Sequence, residues 1–289
     1  MVSHDGVGRS GSPEPVGLRH QSVQRLRKLL RRRRERETQG RFVIEGPGLV
    51  LEALQSNAAV DQVFLGVDDV DSEPAVAARD VGASVIVVND NALEAVGSTV
   101  TPQPMYATAV LPDTAFDAGL SGQVGILDEA AIAPFVLVLV DVGDPGNAGT
   151  LLRAGEAAGV HLVVAAGDTS DLFGPKCVRS SAGSIFRLPV VVERDTSQAL
   201  AALGTLGISR FGATLGATTD FGDADFTGPS AVLVGNEARG LDVSGSPGDL
   251  SGVIDQQVRI PMAGRTESLN VAMAGTLLAY EVFRQRNLG

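Results

Sequence analysis

Three separated stretches place amide, carboxylate, guanidinium and hydroxyl side chains directly after apolar runs. They are DVGDPGNAGTLLRAGEAAGV from Asp141, LVGNEARGL from Leu233 and IPMAGRTESLNVAMAGTLLAYE from Ile260. Each begins where an aliphatic run gives way to small, turn-forming residues, the place where α/β sheets build ligand loops. An Asn, a Glu and an Arg set after a buried strand cost stability unless they find partners, so GNEARG points to a paired polar site.

Competing chemistries lack their residues. GDPGNAG departs from the GxGxxG dinucleotide fingerprint, and the chain contains neither GxxxxGK[ST] nor a GxSxG nucleophile elbow. His4, His20 and His161 are the only histidines; the first two lie in a polar leader and His161 falls in an apolar strand, where it reads as a satisfied core residue. Cys177 is the only cysteine, which excludes an intrachain disulfide and a cysteine-rich metal site and reads as a buried thiol.

The elements that must position these residues follow from hydrophobic periodicity. FVLVLVDV, from Phe135, is apolar enough for a strand buried on both faces; Gly143 to Gly149 turns the chain, Asn147 caps a helix carrying Leu151 and Leu152, and VHLVVAA follows as the next strand. AVLVG and QVRIP are further short strands, and a long helix begins near Ser268. Upstream, RFVIEG, LVLEALQ, QVFLGV, AVAARDVG and SVIVV alternate strand and helix patterns, which predicts a small α/β domain. Residues 1–18 form a polar leader expected to be disordered, 19–112 the small domain with Thr101 to Pro104 as a turn, 113–134 a linker, and 135–289 the larger domain.

Composition sets the partners. The net charge is -11, yet residues 1–41 hold eleven of the 23 Lys and Arg against four of the 34 acids, so a basic arm precedes a strongly acidic body. In RLRKLLRRRRERE, Leu26, Leu29 and Leu30 have helical spacing and the arginines cover the other faces. That pattern fits both an RNA-phosphate contact through Arg31, Arg32, Arg33 and Arg34 and a solvated helix docked by its leucines. No apolar stretch approaches the span of a bilayer, and a cytoplasmic location is expected.

The order and content of the three stretches resemble the three motifs of the TrmH/SpoU family of SPOUT-class RNA 2'-O-ribose methyltransferases. RERETQGRFVIEGPGLVLEAL resembles the substrate-binding domain, related to ribosomal protein L30e, that precedes many ribosomal-RNA members. The resemblance implies an α/β fold with a parallel sheet, helices on both faces and a deep trefoil knot, S-adenosylmethionine as cofactor, no metal, ribosomal RNA as partner and a homodimer formed through the last helix. It places Thr214, Leu215, Gly216, Gly235, Asn236, Ile260, Met262 and Leu269 around the cofactor, and Asn147, Arg153, Glu237, Ser268 and Asn270 at the reaction. Lys176, Arg179 and Ser181, in GPKCVRSSAGSIFRLPV, become candidate RNA contacts.

Within that resemblance Arg153 is expected to act as a positive clamp rather than a base, because a guanidinium stays protonated, with Glu237 orienting it. Ordinary readings stand beside these roles: a helix cap for Asn147, a surface ion pair for Glu237, a helix start for Ser268 and Asn270, and solvated charges for Lys176 and Arg179. Leu269, Met273, Leu277 and Tyr280 form a stripe suited to packing. A transfer-RNA substrate, a non-catalytic RNA-binding or assembly protein and a nucleotide-dependent oxidoreductase are the alternatives, and the last lacks its phosphate-binding turn.

Overall fold

A computed structural model describes residues 14–56, 58–97, 105–242 and 249–287. Helices α1 (Gln21–Arg31) and α2 (Arg33–Gln39) precede β1 (Arg41–Glu45), α3 (Pro47–Leu54), β2 (Val60–Leu65), α4 (Glu73–Asp80), β3 (Ser84–Val87), α5 (Asp90–Glu94) and β4 (Met105–Val110). Their strands form a sheet of order β1-β4-β2-β3, antiparallel except for β2 with β3. The chain continues through α6 (Phe116–Glu129), β5 (Phe135–Val140), α7 (Pro145–Ala157), β6 (Leu162–Ala166), α8 (Pro175–Ser180), β7 (Val190–Glu193), α9 (Thr196–Thr205) and β8 (Ser209–Ala213). It ends with β9 (Thr219–Asp220), β10 (Ser230–Val234), β11 (Gln256–Arg259) and α10 (Val271–Asn287). These strands make a seven-stranded sheet of order β7-β6-β5-β10-β8-β11-β9 in which every pairing is parallel.

Strand β5 shows why the large sheet is covered on both faces. Phe135, Leu137 and Leu139 point into a core shared with α7 and α10, whereas Val136, Val138 and Val140 point into a second core with α6 and α9. The first core runs on without a break into the small sheet through Phe42, Ile44 and Val63. Phe42 meets Phe173 edge-on with ring centroids 5.3 Å apart. The far face of the small sheet packs on α1 through Val23, Leu26 and Leu29.

Several expectations change. Residues 1–13 of the leader, and the turn over 101–104, lie outside the described residues, but Val16 is ordered and bridges Val88. The basic arm is two helices, because Arg32 takes an extended backbone between them, where successive like charges one turn apart disfavour a continuous helix. The stretch expected to be a linker contains α6, whose Phe116, Leu120 and Val124 join the second core. Its glycines hide the helical pattern; a Cβ at Gly119 would come within 2.5 Å of Val191, so one of them permits close packing. Helix α7 is capped by Asp144 rather than Asn147, with Pro145 in the first turn, and α10 starts at Val271 after the cap residue Asn270. No described helix is long and apolar enough to cross a membrane.

Candidate active site

The three motif stretches converge at the carboxyl ends of β5, β8, β10 and β11, where neighbouring strands in the sheet are far apart in the chain. A cavity of about 440 Å³ opens there, lined by Thr214, Leu215 and Gly216 after β8, Gly235 and Asn236 after β10, and Ile260, Met262 and Leu269 after β11. All eight residues expected around the cofactor thus share one cavity, whose size suits a small-molecule site. Its apolar walls, from Val234, Val258, Leu241 and Ile260, suit a flat heteroaromatic base.

The turn after β10 is built by Asn236. Its side-chain oxygen accepts from the backbone N–H groups of Ala238 (3.0 Å) and Arg239 (3.2 Å), and its amide nitrogen donates to the Asp141 carbonyl at 2.9 Å. Backbone bonds between Asn236 and Gly240 close the turn. A Cβ on Gly235 would lie 2.3 Å from the Gly240 backbone, so only glycine lets the turn fold back on its own strand.

Beside the cavity, one polar chain ties the three motifs together. Asn270 donates to the Asn147 side-chain oxygen at 3.1 Å, and Asn147 donates to Glu237 at 3.1 Å. The Glu237 carboxylate also accepts the backbone N–H groups of Gly143 (3.1 Å) and Asp144 (3.0 Å). Burial pushes the Glu237 carboxyl up, but the bonds from Asp144, Asn147 and Gly143 outweigh it and hold the group below its ordinary value. Such a carboxylate is a weak base at neutral pH and a firm anchor for the start of α7. Asp144 accepts from Gly146 and Asn147 with one oxygen and from Lys176 at 2.6 Å with the other; the Lys176 bond first, then the cap, lowers its carboxyl.

The structure changes three expected roles. Arg153 stands exposed on α7 with no hydrogen bond or ion pair among the described residues, so Glu237 does not orient it; that carboxylate is spent on α7. Arg179 reaches into the small sheet to pair with Glu45, and Ser181 is fully buried, donating to the Val178 carbonyl at 2.8 Å, so neither presents itself to RNA. Ser268 lines the cavity wall. Lys176 remains exposed but pairs with Asp144. Arg31, Arg32, Arg33 and Arg34 are exposed, Arg33 pairing with Glu37.

Sequence reasoning missed Asp144 and the ion pairs that join the small-sheet region to the large one, such as Arg36 with Asp171 and Arg187 with Glu52. Asp144 sits in a turn motif where Asn147 drew the eye, although Asp immediately before Pro is itself a helix-start signal. Cys177 is a buried free thiol, as read, whereas His161 lies just before β6 and is only partly buried, its Nδ1 accepting the Phe135 N–H at 3.0 Å. Among the described residues no group of three His, Cys, Asp or Glu side chains is placed to hold a metal.

The geometry matches known proteins along nearly the whole chain. Residues 134–280 match the SpoU rRNA methylase family and residues 20–107 an MRM3-like substrate binding domain. The chain is 31% identical to a Bacillus subtilis 23S rRNA (guanosine(2553)-2'-O)-methyltransferase over 88% of its own length and 93% of the relative's. It is 40% identical to a Streptomyces viridochromogenes 23S rRNA (uridine(2479)-2'-O)-methyltransferase over half of each chain. The crystal structure of the SpoU methyltransferase AviRb from S. viridochromogenes with AdoMet superposes with a TM-score of 0.81 at 28% identity, covering 94% of this chain and all of the other. An AdoMet-bound rRNA methyltransferase from Sinorhizobium meliloti gives 0.78 at 26% identity, over 96% and 99%. This chain belongs to the SpoU rRNA methylase family.

Proposed function

We propose that the protein transfers a methyl group from S-adenosylmethionine to a ribose 2'-hydroxyl of 23S ribosomal RNA. The observation that carries this reading is the junction of the 440 Å³ cavity with the Asn270, Asn147 and Glu237 chain, which brings the family's three motifs to one place. The cofactor would lie against Leu215, Gly235, Ile260, Met262 and Leu269 and supplies a methyl group already activated on a sulfonium. What remains for the chain's own residues is alignment and charge.

Asn147 and Asn270 fix the entrance of α7 against the cavity, and Glu237, ionised throughout the neutral range, holds that entrance rather than removing a proton. Arg153, further along the same helix α7 and unpaired, stabilises negative charge on the ribose oxygen and binds the adjoining phosphate. Residues 19–112 present the RNA, a role supported by the substrate-binding match and by the exposed Arg31 to Arg34. The exposed stripe Met273, Leu277 and Tyr280 on α10 supports dimerisation through this helix. Cavity walls drawn from the loops after β8, β10 and β11 support the trefoil knot. Titration calorimetry tests the base of the reading: the purified protein binds S-adenosylmethionine without added metal and gives no heat with NADH. Absence of binding by the wild type removes it.

A further inference from the structure

The large-sheet region is economical with free positive charge. From Phe135 onward, Lys176, Arg179, Arg187, Arg210, Arg259 and Arg284 pair with carboxylates, and Arg286 donates to backbone carbonyls. Among the described Lys and Arg residues from Phe135 onward, only Arg153, Arg194, Arg239 and Arg265 have neither a hydrogen bond from the side chain nor an ion pair, and all four are exposed. Arg194 follows the edge strand β7. The other three fall one in each motif stretch: Arg153 on α7, Arg239 in the turn after β10, and Arg265 in the loop between β11 and α10.

Their placement is not incidental to the cavity. Arg239 lines it, and Arg265 lies between Met262 and Glu267, which also line it. The turn that carries Arg239 is fixed by Asn236 through backbone groups alone, so the guanidinium contributes nothing to that fold. On a chain of net charge -11, unpaired guanidiniums beside the cavity add a local positive field to an otherwise acidic large-sheet region. The acids nearby are already engaged, Glu237 by α7 and Asp144 by Lys176. Glu267, exposed and unpaired on the same rim, opposes the field.

Resting on the methyltransferase reading above, we propose that Arg239 and Arg265 bind phosphodiester oxygens of the RNA flanking the target ribose, so that each motif contributes one arginine to the substrate. Arg153 serves the reacting nucleotide; Arg239 and Arg265 hold its neighbours in register with the cavity. Phosphate contacts of this kind position the strand without reading its sequence, and they make affinity salt-dependent.

The test uses the full chain with a fluorescein-labelled mixed-sequence RNA oligonucleotide, a 23S rRNA transcript and S-adenosylmethionine. The Arg239→Gln, Arg265→Gln double variant binds RNA about tenfold more weakly, and the slope of log affinity against log salt becomes shallower by roughly 1.5, while cofactor affinity is unchanged. Lysine at both positions restores most RNA affinity, since a point charge suffices for phosphate. Glu267→Gln tightens RNA binding, and Arg194→Gln leaves it unchanged. An unaltered affinity and salt slope in the double variant overturns the assignment, as does an equal loss from Arg194→Gln, which would mean net charge alone acts. Weakened cofactor binding with intact RNA binding also overturns it, by giving Arg239 to the cofactor's carboxylate. A wild type that binds RNA but neither binds the cofactor nor methylates the transcript fails the methyltransferase reading instead.

Discussion

The seam between the two sheets and the mouth of the cavity both carry arginines, and the two regions use them in opposite ways. At the seam, Arg36 pairs with Asp171 and donates to the Leu29 carbonyl at 2.6 Å, Arg179 pairs with Glu45, and Arg187 spans Glu52 and Glu156. Every one of these guanidiniums joins the small sheet or its helices to the large-sheet region, and the bond from Arg187 holds the Glu156 carboxyl below its ordinary value. In the three motif stretches, by contrast, Arg153, Arg239 and Arg265 are exposed without partners, and Arg239 lines the cavity. A paired, buried guanidinium fixes the fold; an unpaired one on an acidic protein is left available to an anion.

The sharpest way to break this division is at the turn after β10, on the cavity side. Replacing Gly235 with Val abolishes cofactor binding, because the added carbons collide with the Gly240 backbone and expel the whole turn rather than merely occupying the cavity. Calorimetry checks it; retained affinity would show that the turn tolerates displacement.

Next in size is a crossed comparison of one arginine from each region. Arg36→Ala lowers unfolding stability by about 3 kcal/mol, since it strands a largely buried carboxylate at Asp171. Arg153→Ala shifts stability by no more than about 0.5 kcal/mol, as expected of an exposed side chain without partners. Denaturant titration of both variants measures the difference, and equal losses would erase the distinction between seam and mouth.

The smallest effect concerns pH. Glu237 has its folded pKa depressed, so its contribution is complete above the ordinary carboxylate value near 4.5 and is lost as pH falls through the folded value. Cofactor affinity should therefore stay flat from about pH 6 to 9 and decline only in acid, and Glu237→Gln should lower affinity while removing that acid decline. A Glu237-dependent inflection near neutrality would make the residue a base and contradict the anchoring role.

How far the sequence could be read differs between the same two regions. The cavity was legible because its residues sit in three contiguous strings after strands, and β5, β8, β10 and β11 end where the apolar runs end. The seam was not, because its pairs join residues more than a hundred positions apart, such as Arg36 with Asp171 and Glu45 with Arg179, and nothing local marks an arginine as paired. The same blindness made Arg179 and Ser181 look like substrate contacts. The leucine spacing left a docked helix and an RNA contact both open for the basic arm; in the fold Leu26 and Leu29, with Val23, reach the core of the small sheet, so α1 is no detachable appendage. Helix α6 escaped notice because Gly119, Gly122 and Gly125 weaken a helical reading that burial of Phe116, Leu120 and Val124 overrides.

The account stands most directly on one measurement: ribose methylation mapped along 23S rRNA after incubation with the protein and S-adenosylmethionine, for the wild type and for Arg153→Ala and Arg153→Lys. The wild type should methylate a defined 2'-hydroxyl, and both variants should lose most of that product while keeping cofactor affinity and stability, because lysine lacks the planar fork that holds two oxygens. No methylation by a cofactor-binding wild type, or full turnover by Arg153→Lys, would contradict it.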